Sequence, residues 1–270
     1  GVEVKGSKRW IDLFFLPRFQ PIEVLKPFLI IILATILCDI KSNILFKYLI
    51  SIFLISFISL LLIAQPDIGQ TLLVIFCWAV LIFTSGINIY ILLAIFIAGA
   101  SLLTYLIIYV PRFDYIQGRI FSFFNRETGT HNFQSDKAIE SITSGGFFGK
   151  GIGEGVLKNR VPEAHTDYII SVISEEFGVV AIMLILLLFL ILIYMVFKKI
   201  SFETNDKAKL ILIGSISLIL MQATIHIGVN IRLFPTTGMT LPFLSYGGSS
   251  IISTSILAGI ILNLTKRKIT

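Results

Sequence analysis

Runs of apolar residues long enough to cross a bilayer alternate with short polar joints along most of the chain. They lie near 21–38, 48–64, 69–86, 89–109, 168–197, 208–230 and 241–263. A hydrocarbon core needs about 20 residues of helix, so the pattern predicts seven spans, some short enough to be tilted or kinked. Between the fourth and fifth runs the pattern changes. Residues 110–166 are polar, charged and rich in glycine, which predicts one large extracytoplasmic loop. The expected fold class is therefore all-α: a polytopic transmembrane helix bundle, read as a single membrane domain over residues 1–270.

Composition agrees with this pattern. The 270 residues are 56% apolar and 14% charged, and the mean hydropathy of +0.92 excludes a soluble domain. The opening Gly1-Val2-Glu3-Val4 without a Met is expected to follow a missing natural N-terminus. A cleaved leader is neither visible nor needed by a chain that inserts through its own helices. Cys38 and Cys77 lie in apolar runs at no metal or redox spacing, and are expected to be ordinary membrane-helix residues. The net charge of +6 is too diluted to indicate nucleic-acid binding.

The placement of charge says more than its sum. Lys41 and Lys47, then Lys198, Lys199, Lys207 and Lys209, then Lys266, Arg267 and Lys268 all fall on one face. Short basic joints stay in the cytoplasm. Residues 1–20, the Gln65-Pro66-Asp67 turn, the loop 110–166 and residues 231–240 then face outward. Seven bases in the long loop (Arg112, Arg119, Arg126, Lys137, Lys150, Lys158, Arg160) are nearly balanced by six acids (Asp114, Glu127, Asp136, Glu140, Glu154, Glu163). That loop either attracts anionic groups or is simply solvated.

Candidate chemistry begins where the long loop turns apolar, at Pro162-Glu163-Ala164-His165-Thr166-Asp167. A carboxylate at the lip of a membrane segment is costly, which makes Asp167 a functional candidate. It also suits a helix N-cap, worth about 1 kcal/mol, and the residues alone leave both readings open. Asp167, Ser171, Ser174 and Gly178 recur at helical spacing as one small polar stripe. Glu175 and Glu176 are expected about 12 Å deeper at 1.5 Å per residue, in a structural role that bonds neighbouring helices. In the first span Glu23 and Lys26 share a face, as a salt bridge or a site. Lys8-Arg9-Trp10 has the make-up of an interfacial anchor, and Asp67 either caps a helix or faces a polar cavity.

Ser215, Gln222, His226 and Asn230 form a stripe on the sixth span, expected to face the bundle interior. His226 has no second His or Cys at a ligand spacing, which argues against zinc. The glycines from Gly145 to Gly155 do not make a phosphate-binding loop, since Ser144 and Gly151 stand where a Walker motif needs Gly and Ser or Thr. They leave a backbone able to bend sharply and approach a ligand or another helix. Pro235, Gly238, Pro242, Gly247 and Gly248 break the final run, which is tolerated at membrane depth where backbone lines a cavity.

Several stretches in this order resemble the SEDS family of bacterial membrane glycosyltransferases, FtsW and RodA, over essentially the full length. They are Lys5-Gly6-Ser7-Lys8-Arg9-Trp10-Ile11, Gln20-Pro21-Ile22-Glu23 with Lys26, Gln65-Pro66-Asp67-Ile68-Gly69, Gln134-Ser135, Ser144-Gly145-Gly146 and Gly149-Lys150-Gly151. They continue with Pro162 to Asp167, then Glu175-Glu176-Phe177-Gly178, and the run from Pro235 to Ser250. Pro-Glu-Ala-His-Thr-Asp is more similar to the division branch than to the elongation branch. Thr130-His131 stands where the family usually has Tyr-Gln, and Ile22 where Ser is common.

The resemblance implies ten spans, three more than appear here, and polymerisation of lipid II into peptidoglycan strands outside the cytoplasmic membrane, at the division septum. Asp167 would then be the general base toward the acceptor 4-hydroxyl, with undecaprenyl diphosphate leaving and inversion at the anomeric carbon. The pyrophosphate needs positive charge, from a divalent cation (Mg2+ or Mn2+), from basic side chains, or from both. By the same resemblance Arg9, Lys26 and Lys150 are the candidate bases. Glu23 and Asp67 are orienting or metal-associated acids, and Glu163, His165 and Ser245 are further substrate contacts; metal ligands stay unassigned. Implied partners are lipid II, a class B penicillin-binding protein, other division proteins and membrane lipids, with no nucleic acid. The competing readings are a flippase or transporter for the same lipid and a non-catalytic division scaffold.

Overall fold

The computed structural model describes residues 2–4, 7–13, 16–39, 43–110, 113–125 and 130–266. Among them are nine helices: α1 (Pro21–Leu37), α2 (Ile44–Ala64), α3 (Ile68–Thr84), α4 (Ile89–Tyr109), α5 (Asp114–Asn125), α6 (Thr130–Gly145), α7 (Ile169–Phe202), α8 (Asp206–Asn230) and α9 (Gly248–Thr265). Each of the seven apolar runs is helical. Five helices (α2, α4, α7, α8 and α9) are long and apolar enough to cross a membrane, so the chain is a multi-pass membrane protein. The other two, α1 and α3, have 17 residues each. Of the residues used for the sidedness reading, Lys41, Arg112, Arg126, Glu127, Arg267 and Lys268 lie outside the described residues, as do Lys5 and Gly6 of the first matching stretch.

Three features differ from the sequence expectation. The N-terminal stretch is a small antiparallel sheet, β1 (Val2–Val4), β2 (Ser7–Leu13) and β3 (Leu16–Phe19), in the order β1-β2-β3. Trp10 pairs with Val2 on one side of β2, and Ile11 pairs with Phe19 on the other. The long loop contains α5, α6 and a 3-10 turn at Leu157–Arg160. The last helix starts at Gly248 rather than 241, because the preceding prolines and glycines leave residues 235–247 as extended chain and turns.

The chain folds as two compact units. The first comprises Gly1–Phe96, Ile193–Met221 and Gly248–Thr270. In it α1 packs on α2, α3 and α9, and Ile30, Leu33, Leu73, Leu81, Leu212 and Ile219 are buried. Gly214 of α8 lets this packing close, since a Cβ there would sit 2.7 Å from Ile30 Cγ2. Cys77 is buried and Cys38 partly so, both as free thiols. The backbone amide of Gln20 donates to Ser249 Oγ at 2.9 Å, tying the start of α1 to α9.

The second unit comprises Ile97–Leu192 and Gln222–Gly247. Ile170, Ala223 and Leu241 form its core, packed by Ile169, Ile182, Phe189 and Ile227. Here α7 is interrupted: Gly178 takes φ 76 and ψ −175. A break in a helix frees carbonyls on one side and amides on the other, and the glycine-rich loop fills both vacancies. Lys150 N and Gly151 N donate to the carbonyls of Glu175 and Glu176 at 2.9 and 3.0 Å. Val179 N and Val180 N donate to the carbonyls of Gly146 and Phe147 at 3.0 and 3.2 Å. The loop is spliced into the helix. Residues 179–202 alone give about 36 Å of helix at 1.5 Å per residue, enough to span. The Glu175–Glu176 pair therefore belongs to the short piece ahead of the span, not to a position deep within one.

Candidate active site

The Pro162 to Asp167 stretch folds into a tight turn rather than a first helical turn. Glu163 adopts φ 57, and its carbonyl accepts from the amides of Thr166, Asp167 and Tyr168 at 3.1, 3.1 and 3.3 Å. Its carboxylate also accepts from Thr166 Oγ1 at 3.1 Å. Asp167 emerges from this knot two residues before α7 begins.

Three consecutive carbonyls then clamp the turn. Tyr246 N donates to His165 O at 2.9 Å, Ser245 Oγ to Thr166 O at 2.6 Å, and Asn230 Nδ2 to Asp167 O at 3.0 Å. The donors are themselves held. Ser245 Oγ accepts from Leu241 N at 2.8 Å, and Asn230 Nδ2 also reaches His226 O at 2.9 Å. His226 Nδ1 lies 2.8 Å from Met239 O; a carbonyl only accepts, so that nitrogen carries the proton. Gln222 Nε2 donates to Thr240 O at 3.0 Å. Gln222 and His226 of the α8 stripe thus hold the broken segment at Met239 and Thr240. Gly238, at φ 70, passes so near that a Cβ on it would lie 3.5 Å from Asp167 Oδ2. The Asp167 side chain stays partly exposed, so a carboxylate on an immobilised backbone is offered to its surroundings.

Ser171 and Ser174 do not line a cavity as a stripe inward from Asp167. Both are buried in the seam with α6, where Ser141 Oγ donates to Ser171 O at 3.3 Å and Ser174 Oγ to Ile142 O at 3.4 Å. The glutamates organise the glycine loop. Glu175 accepts from Leu157 N at 2.9 Å, Lys158 N at 2.6 Å and Ser141 Oγ at 3.0 Å. Glu176 accepts from Gly153 N at 3.1 Å and is paired with Lys158. The pair is structural as expected, with the loop as its main partner. Lys150 keeps 39% of its side chain exposed, with Nζ 3.6 Å from Glu175 Oε1.

The first unit holds a separate polar network. Sheet β2 carries Arg9, whose NH2 donates to Pro66 O at 2.8 Å and whose NH1 lies 3.4 Å from Asp67 Oδ2. Asp67 caps α3 through the Gln70 amide at 3.2 Å and accepts from Gln20 Nε2 at 3.2 Å. Burial pushes the Asp67 carboxyl above the usual carboxylate range, opposed by the Arg9 guanidinium and the Gln70 amide. Gln70 Nε2 donates to Glu23 Oε1 at 2.6 Å, and Glu23 Oε2 lies 2.8 Å from the fully buried Lys26 Nζ.

The candidate residues therefore divide into Arg9, Glu23, Lys26 and Asp67 in one unit, and Lys150, Glu163, His165, Asp167 and Ser245 in the other. Gln70, which links the carboxylates of Asp67 and Glu23, and the carbonyl partner of Asn230 escape sequence reasoning. For Gln70 an amide inside an apolar run was the available signal. Among the described residues no three of His, Cys, Asp and Glu gather as a metal-ligating group.

The family model described as "Cell cycle protein", covering FtsW, RodA and SpoVE, matches residues 1–269. The chain belongs to the FtsW/RodA/SpoVE family. Among relatives of this family, the probable peptidoglycan glycosyltransferase FtsW of Caulobacter vibrioides is 34% identical over 275 residues, covering 99% of this chain and 68% of that protein. Its counterpart in Enterococcus hirae is 32% identical, covering 99% of this chain and 70% of that protein. The fold agrees. A peptidoglycan synthase complex, solved to show the structural coordination of polymerization and crosslinking, matches with TM-score 0.78 and 27% identity, over 98% of this chain and 75% of that one. The rod shape determining protein RodA of Thermus thermophilus matches with TM-score 0.67 and 27% identity, over 100% and 73%.

Proposed function

We propose that this FtsW/RodA-family chain is a peptidoglycan glycosyltransferase that polymerises lipid II at the outer face of the bacterial cytoplasmic membrane, with Asp167 as general base. The observation that carries the reading is the clamp on the carbonyls of His165, Thr166 and Asp167. A base must sit within hydrogen-bond reach of the proton it takes, and pre-set geometry removes much of the entropy cost of reaching that arrangement. The acceptor 4-hydroxyl loses its proton to the Asp167 carboxylate as its oxygen bonds to the donor anomeric carbon. The bond from that carbon to the diphosphate breaks, and undecaprenyl diphosphate departs with the electron pair, with inversion.

Departing diphosphate needs positive charge. In the unit of Asp167, Lys150 is our candidate, since its ammonium is half-exposed. His165, exposed beside the base, is a candidate substrate contact. Glu163 and Ser245 serve the site by holding the turn. Arg9, Glu23, Lys26 and Asp67 enter as candidate substrate contacts by the family pattern. A class B penicillin-binding protein is the partner we propose, in keeping with the likeness to a complex that coordinates polymerization and crosslinking. Likeness to FtsW relatives favours septal division as the setting.

The test is strand synthesis from fluorescent lipid II by purified protein and its partner, wild type against Asp167→Asn. A fall of about 10²–10⁴-fold is expected from loss of the base. Equal strand growth by both proteins sinks the assignment. Lipid movement across liposomes without any strands would favour the transporter reading.

A further inference from the structure

The glycine-rich loop is fastened into the α7 break by four backbone hydrogen bonds, to Glu175, Glu176, Val179 and Val180. Its height along α7 is thereby fixed at the start of the spanning piece. The first side chains after the break, Val179, Val180, Met183 and Leu184, are exposed and apolar. They belong to a helix long and apolar enough to cross a membrane and little covered by the rest of the chain, as a lipid-facing surface would be. The loop carries this surface past the break: Phe147, Phe148 and Ile152 are 74%, 84% and 78% exposed.

We propose that Phe147, Phe148 and Ile152 dip into the leaflet opposite the basic joints and anchor the loop at the boundary between headgroups and acyl chains. Aromatic side chains favour that level. Charge placement agrees, since Lys150, Lys158 and Glu176 ring the base of the loop, where a headgroup layer would solvate them. A protein covering these phenylalanines would meet the adjoining lipid-facing side of α7 as well, so continuity with that surface favours lipid. Because the loop also caps the short piece 169–177, the anchor fixes the height of that piece.

Nitroxide labels at Phe148→Cys, Ile152→Cys and Glu154→Cys, each in a Cys38→Ser full-length chain in phosphatidylethanolamine–phosphatidylglycerol vesicles, test this. The parent without an added cysteine supplies the background from buried Cys77. Collision with oxygen should exceed collision with a water-soluble nickel chelate at 148 and 152, and the ratio should invert at the exposed Glu154. Chelate access at 148 equal to that at 154 places the loop in water and overturns the proposal. Shielding of 148 from both reagents marks a protein cover and overturns it too.

Discussion

A general base needs its backbone held beforehand, and two side chains far along the chain hold the turn that carries Asp167: Asn230 at the Asp167 carbonyl and Ser245 at the Thr166 carbonyl. Asn230→Ala would remove the buried amide that donates to the carbonyls of Asp167 and His226. An unsatisfied buried group costs about 1–3 kcal/mol, so a modest loss in thermal stability is expected. If the clamp matters to the chemistry, kcat for strand synthesis falls further than that loss explains, with KM for lipid II little changed. Ser245→Ala should act alike through Thr166. The buried pair Glu23–Lys26 behaves differently. Glu23→Gln strands a buried ammonium and is expected to cost about 3–5 kcal/mol, while adding Lys26→Met should recover most of it. Thermal unfolding of single and double variants in nanodiscs decides the matter. Asp167 was legible because it stands where polar sequence turns apolar. Its clamps were not, because the Asn230 partner is a backbone carbonyl 63 residues away, and carbonyls leave no trace in a side-chain pattern.

At the scale of elements, seven helices follow directly from runs of apolar residues, and their ends lie near the expected ones except the start of α9, which falls at Gly248 rather than 241. The terminal sheet was missed because its strands are short and alternate weakly. Helices α5 and α6 were missed because they are too polar to register as spans. The break in α7 hides in plain sight, since one glycine in an apolar run is usually tolerated. Its meaning depends on the loop that meets it, and the loop's own glycines can be sorted by what surrounds them. A Cβ on Gly149 would lie 2.1 Å from Glu176 O, and one on Gly178 2.2 Å from Phe147 O. A Cβ on Gly146 meets nothing within 4 Å, although its φ is 57. Gly146→Ala should therefore cost only the left-handed strain of about 1–2 kcal/mol. Gly149→Ala and Gly178→Ala should separate loop from helix, and limited proteolysis within 146–156 reads the difference.

For the molecule as a whole, the sequence pattern announced a membrane bundle but not its division into two units, each assembled from separated stretches of chain. Hydrophobic periodicity reports which residues avoid water and carries no record of which distant helix they meet. The first unit draws on both the earliest and the latest helices, and the Gln20–Ser249 bond closes it across 229 residues. This has a consequence for biogenesis. As the chain leaves the ribosome, α1 enters the membrane with Glu23 and Lys26 aboard, and α9, against which it packs, is made long after it. Until then α1 packs on α2 and α3 but lacks its third partner, a 17-residue insert carrying two charged side chains, the kind of segment a membrane quality-control protease can extract. Nascent chains stalled before Gly248 should be cleared faster than chains extending beyond Thr265, so α9 acts as a timer on the survival of α1.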